Sequence, residues 1–161
     1  SCLTAAGVAG EEAVAAELDR DPTDLGARRA ASARAAQPLA EAKARAWTAL
    51  TEDLRLPLAT VKALLGGFWQ PGQEVLLEPY VGRYATVLPG VWASRSPDEA
   101  LVLTSGLYPS TLVSHAVVAA ADAALDAEGV PGPGRRIVAE QRDGTLRALR
   151  ARVADRAAAH S

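Results

Sequence analysis

The sequence predicts an all-α fold of about nine short helices, and three observations carry that expectation. Apolar residues make up 49% of the chain but aromatic residues only 4%, because so many of the apolar positions are Ala. Ala is the strongest helix former, since it loses no side-chain freedom on ordering. Apolar residues also recur at the three-four spacing of a helix face through most of the chain. No run alternates apolar and polar residues between turn signals, as a half-buried strand would.

The elements follow from starts, stops and spacing. Residues 10–20 read as helical, with Val14 and Leu18 four apart, and Asp21-Pro22 marks a break. Pro22 and Asp24 suit a new first turn, which runs to about Ala36. Pro38 suits the first position of the next helix, where a missing N–H loses nothing. Leu39, Ala42, Ala46, Ala49 and Leu50 share a face there, beside Trp47. Pro57 opens a helix striped by Leu58, Val61, Leu64, Leu65 and Phe68, with Gly66 and Gly67 weakening its last turn.

After a Pro71-Gly72 turn, Leu77, Tyr80, Val81, Tyr84, Val87 and Leu88 form the cleanest stripe in the chain. Pro79 must lie near that helix's start or kink it. Pro89-Gly90 is expected to disturb its end, with Val91 and Trp92 extending the apolar face. Ser96-Pro97-Asp98-Glu99 is a capping-box start. Ala100, Leu103 and Leu107 form the inner face behind it, and Tyr108-Pro109 ends the helix. An Ala-rich helix is expected from about Thr111 to Glu128, stopped by Gly129. Pro131 to Gly134 reads as a loop. Two last helices then cover about Arg135 to Gln141 and Asp143 to Ala159, with Leu146, Leu149, Val153 and Ala157 as the inner stripe. Short helices joined by Pro-started turns suit antiparallel pairs stacked into an irregular, HEAT- or armadillo-like superhelical array. The 161 residues fit a single domain over 1–161, with a soft division near 53–57.

Lys and Arg number 17 against 19 Asp and Glu, a balance that argues against a dedicated nucleic-acid binder. No apolar run is long enough to span a bilayer; the most apolar stretch, Ala116 to Leu125, is interrupted by Asp122. The lone Cys2 permits no internal disulfide, which suits a reducing, cytoplasmic setting. With no Met and a start at Ser1, the chain reads either as processed or as a piece of something longer.

One stretch is distinctive. Residues 66–95 contain, in order, Gly67-Phe68, Gln70-Pro71, Gln73-Glu74, Leu76-Leu77, Pro79-Tyr80, Tyr84, Leu88-Pro89, Trp92 and Arg95. Upstream stand Asp24, Gly26, Arg28, Ala33, Arg34, Pro38 and the run Ala40-Glu41-Ala42-Lys43; downstream stand Leu107-Tyr108-Pro109 and Arg136 to Arg156. No single dipeptide is specific, but the ordered combination resembles the C-terminal helical domain of the zinc aminopeptidases, as in actinobacterial aminopeptidase N and the endoplasmic-reticulum aminopeptidases. The resemblance covers essentially the whole chain. It implies a non-catalytic domain of a hydrolase that removes N-terminal residues from peptides. Such a domain curves over the catalytic domain of the same polypeptide, encloses the active-site cavity and helps admit and hold the peptide. The resemblance also implies zinc in the parent's catalytic domain and none in this chain.

The chain itself departs from a zinc peptidase. That chemistry needs His-Glu-x-x-His, which places two ligands one helical turn apart, with a Glu base and a further Glu ligand. Only His115 and His160 are present, neither is followed by Glu, and the family's Gly-x-Met-Glu-Asn motif needs a Met. No catalytic, cofactor or metal residue is therefore assigned here. A lone His115 in an apolar helix reads as a packing or surface residue, His160 as frayed and Cys2 as inert. Trp47, Trp69 and Trp92 read as the bulky core of a small-residue protein. Trp69, Gln70 and Gln73, where a helix meets a Pro-Gly turn, are the candidates for a peptide-cavity rim; the two Gln could equally cap backbone. Arg28, Arg29 and Arg34, and Arg147, Arg150, Arg152 and Arg156, read as solvated faces, although one Arg on a concave surface could hold a peptide carboxylate. The competing class is a freestanding helical-repeat scaffold that binds another protein.

Overall fold

The structure is a computed structural model that describes residues 10–16 and 23–159. Every regular element among the described residues is helical. Residues 10–16 are helical, and seven longer helices follow: α1 (Asp24–Ala36), α2 (Ala40–Glu52), α3 (Leu58–Phe68), α4 (Glu74–Ser94), α5 (Pro97–Gly106), α6 (His115–Asp126) and α7 (Gly132–Ala159). The Asp21-Pro22 break, Cys2 and His160 lie outside the described residues. The chain divides into two compact units, Ser1–Leu77 and Glu78–Ser161, so the 53–57 connection falls within the first.

In the first unit, α1 starts at Thr23, whose side chain accepts from the Gly26 N–H at 3.2 Å. This satisfies one of the donors that a helix start leaves orphaned. The first turn of α2 lies two residues beyond Pro38, at Ala40, with Leu39 in extended conformation as its cap. Ala42, Ala46, Trp47 and Leu50 are buried as their spacing predicts. Val61, Leu64 and Phe68 are the buried stripe of α3. Trp47 and Phe68 rings meet at 5.7 Å between centroids, and Phe68 meets Trp69 edge-on at 4.9 Å.

Gly67 has a steric purpose that its sequence position did not suggest. A Cβ there would stand 2.1 Å from the Ser32 carbonyl oxygen of α1. Only a residue without Cβ lets α1 and α3 approach this closely.

In the second unit, Ser96 and Glu99 form the expected capping box, and Ala100, Leu103 and Leu107 are fully buried. Four boundaries differ from expectation. Pro89-Gly90 does not disturb α4, which runs unbroken to Ser94 with Pro79 and Pro89 both inside it. Leu88 and Val91 are buried on either side of Pro89, so packing outweighs the lost backbone donor. The Ala-rich helix begins at His115 rather than near Thr111, because the Ser114 side chain caps it by accepting from the Val117 N–H.

The two expected C-terminal helices are one, α7, whose 28 residues run straight through Asp143-Gly144. An interior Gly costs about 1 kcal/mol relative to Ala. Thr145 beside it is buried and bonds Tyr108 at 2.7 Å, a tertiary contact that holds the helix through that point. The expected loop at Pro131 to Gly134 is instead the start of α7 from Gly132 onward. Pro133 is tolerated in that first turn, where its missing N–H would have had no helical partner.

Candidate binding groove

In the first unit, the residues proposed from sequence as a cavity rim are engaged in closing helix ends. Trp69 is 8% exposed and packs against Phe68. Gln70 donates its amide to the Gly66 and Gly67 carbonyls, both at 3.2 Å. Gln73 donates to the Ala36 carbonyl at 2.9 Å, and its Oε1 is buried with no hydrogen-bond partner among the described residues. The Pro71-Gly72 turn thus brings the two Gln onto the ends of α3 and α1, while Trp69 joins the core.

Beside them lies a group that sequence reasoning missed. Lys43 is completely buried. Its ammonium donates to the Ala35 carbonyl at 2.7 Å and the Phe68 carbonyl at 2.8 Å, and stands 5.5 Å from the Phe68 ring centroid. Those carbonyls belong to the last turns of α1 and α3, where helices leave acceptors unpaired and carry partial negative charge. Burial lowers the Lys43 pKa from 10.5 to about 8. Its position three residues before buried Ala46 and four before buried Trp47 was the available signal: a Lys on the inner stripe of a helix must find acceptors.

In the second unit the sequence-predicted inner stripe of the last helix is not inner. Leu146 and Leu149 are half-buried, and Val153 is 66% exposed. With Val113, Ser114 and His115 they line a groove of about 520 Å³, rimmed by Arg150, Arg152 and Arg156. Arg152 donates to the Val113 carbonyl at 2.9 Å, which ties α7 to the segment before α6. His115 is exposed at the first turn of α6. Val113 also belongs to a neighbouring cleft of about 190 Å³ lined by Tyr108, Ser110, Gln141, Gly144, Thr145 and Ala148. No carboxylate lines either space. The visible signal was the company of the stripe: four Arg within the same turns (Arg147, Arg150, Arg152 and Arg156) with a single acid, Asp155.

Among the described residues no three His, Cys, Asp or Glu side chains are placed to hold a metal ion. Nor is any described helix long and apolar enough to cross a membrane. Elsewhere in this unit, Tyr84 donates to the Thr104 carbonyl at 2.8 Å, and the Trp92 indole N–H donates to the Thr104 hydroxyl at 3.0 Å. Burial raises the Tyr84 and Tyr108 pKa values, the former far above the usual phenol range. Both are therefore neutral packing groups whose hydroxyls serve as hydrogen-bond partners.

An all-helical chain with a Gly-tightened, Lys-closed first unit and a hydroxyl-linked second belongs to the ERAP1-like C-terminal domain family, whose model matches residues 1–147. The chain is similar to Aminopeptidase N of Streptomyces lividans, with 45% identity over 157 residues. That match covers 98% of this chain and 18% of the relative, so the chain spans about a fifth of the relative's length.

Proposed function

We propose that this chain is the non-catalytic C-terminal domain, over residues 1–161, of a zinc aminopeptidase that removes N-terminal residues from peptides. In this reading it encloses the active-site cavity and helps admit and position the peptide, and its partners are the catalytic domain of the same polypeptide and the peptide substrate. The observation that carries the proposal is 45% identity to an Aminopeptidase N along nearly the whole chain. The residues described here do not fit a zinc site. The metal's ligands are thus assigned to another part of the parent, and no chemical step is routed through this chain. What its own residues supply is close packing within each unit: helix approach at Gly67 and charge-closed helix ends at Lys43 in the first, and hydrogen-bonded packing around Thr104 in the second. The single Cys supports a cytoplasmic setting.

Reading the gene upstream of Ser1 tests the parentage. A frame that continues back through Gly-x-Met-Glu-Asn and His-Glu-x-x-His is the expected result, and a stop codon just before Ser1 would sink it. The enclosing role is tested by deleting this domain from the parent enzyme. The KM for long peptides is expected to rise more than that for a single-residue chromogenic substrate; equal changes would refute it. The chain alone, with zinc added, is expected to release no amino acid from either substrate.

A further inference from the structure

In the first unit the outer face of α2 opens onto a groove of about 800 Å³, with Ala44, Arg45, Thr48, Glu52, Leu54 and Arg55 among its lining. Glu41, Ala44, Arg45, Thr48 and Glu52 are exposed along the helix, and Leu54 is 54% exposed on the turn after it. Arg45 meets Glu11 at 3.3 Å, yet its side chain stays 63% exposed. Glu41 and Glu52 have no ion-pair partner among the described residues. The groove sets Arg45 and Arg55 against Glu52 and Asp53, so its charges balance. No field of one sign selects an acidic or a basic segment. What distinguishes the face is the order of its charges about Thr48. Arg45, three positions before Thr48, and Glu52, four after, fall on the same flank of the helix, at opposite ends. Ala44, four before, and Thr51, three after, fall on the other flank.

We propose that this face docks a second copy of the chain, α2 antiparallel to α2, about a two-fold axis through Thr48. Such an axis sends each position to the one equally far on the other side of Thr48 and keeps it on the same flank. Arg45 therefore comes within about 1.5 Å along the helix direction, one residue's rise, of Glu52 of the second copy. The symmetry forms that pair twice. Arg binds carboxylates through a fork of five N–H donors, enough to hold Glu11 and the second copy's Glu52 together. Glu41 and Arg55, seven positions either side of Thr48, carry opposite signs to the two ends of the seam. A parallel arrangement would instead set Arg45 against Arg45 and Glu52 against Glu52, which repels. Charge order thus selects both the occupant and its direction. Ala44 and Thr48 are short enough for two helices to close on each other, and the exposed Leu54 leaves water as the groove fills. The contact from Glu41 to Glu52 is only about 16 Å long at 1.5 Å per residue, so the dimer is a weak one.

The test is sedimentation equilibrium of the 161-residue chain from about 1 µM to about 1 mM, the span of weak association. A monomer that becomes a dimer as concentration rises, less readily at high salt, is the expected result. Arg45→Glu alone and Glu52→Arg alone should each weaken self-association by about tenfold or more, because each reverses a pair that occurs twice. An equal mixture of the two variants should dimerise again, since a copy with acids at both positions then faces a copy with Arg at both. Thr48→Trp, at an exposed position on the axis, should abolish the dimer with unchanged helical circular dichroism. It also reads the interface without touching the Arg45–Glu11 pair. A wild-type chain still monomeric at the highest concentration, a dimer that survives Thr48→Trp, or two helical single variants that fail to associate on mixing would overturn the proposal. The parentage proposed above stands or falls separately, on the upstream reading frame.

Discussion

Between α1 and α3 the first unit buries an ammonium, whereas between α4 and α5 the second unit buries hydroxyls. Lys43 reaches two helix-terminal carbonyls at once, those of Ala35 and Phe68. Thr104 instead accepts from Trp92 on its hydroxyl and from Tyr84 on its carbonyl, and its hydroxyl donates to the Ala100 carbonyl at 2.7 Å. Both units also use a glycine to bring elements close, but against different obstacles. A Cβ at Gly67 would strike the Ser32 backbone, and one at Gly134 would strike the Trp92 indole at 2.8 Å. A small-residue core brings backbones near each other, and near backbones bury polar groups that must be paired. The comparison teaches that a long cation and a compact hydroxyl solve the same problem with different tolerance for change.

That difference can be broken open by substitution. Gly67→Ala is expected to have the largest effect, about 3 kcal/mol, because a backbone cannot step aside as a side chain can. Urea unfolding would read it, with hydrogen exchange of α1 and α3 showing where the loss falls. Lys43→Met should cost about 2 kcal/mol, since two buried carbonyls lose their donor while the burial of a charge is relieved.

Lys43 also predicts a pH dependence. In the folded chain it releases its proton near pH 8, and unfolded it keeps it to 10.5. The unfolded state therefore binds more protons between those values, and stability rises with pH there. The contribution is lost as pH falls through 8. The gap between wild type and Lys43→Met should accordingly widen from pH 8 to 10.5, and a gap that narrows would show the helix carbonyls outweighing burial. Gly134→Ala is smaller, about 1 kcal/mol, because the obstructing indole is a side chain that can shift. A loss as large as that of Gly67→Ala would erase the distinction between the units. Smallest of all, Val153→Asp should change stability by no more than about 0.5 kcal/mol in urea unfolding, as expected of a site that is 66% exposed.

Much of the fold was legible before any coordinates. The stripe Leu77, Tyr80, Val81, Tyr84 and Leu88 is buried as spaced, and the Ser96-Glu99 box caps α5. Helix faces and caps are local signals, carried by residues within a turn or two of each other. The same local reading took Leu146, Leu149 and Val153 for core, because periodicity marks an apolar face without saying whether anything covers it. It also divided α7 between Gln141 and Asp143, close to where Thr145 bonds Tyr108, 37 positions away in sequence.

What the sequence determined by itself is therefore the helical class, the core face of most helices and the absence of His-Glu-x-x-His from this chain. Only the tertiary structure decided that Lys43 is a buried clamp, that Gly67 is a point of backbone contact, that Trp69 is buried while the half-exposed Gln70 and Gln73 bond helix-end carbonyls, and that the last helix leaves Val153 exposed. The reason is physical. A residue's propensity and spacing act through its own helix, whereas burial, desolvation and the pairing of orphan carbonyls depend on which other helix arrives.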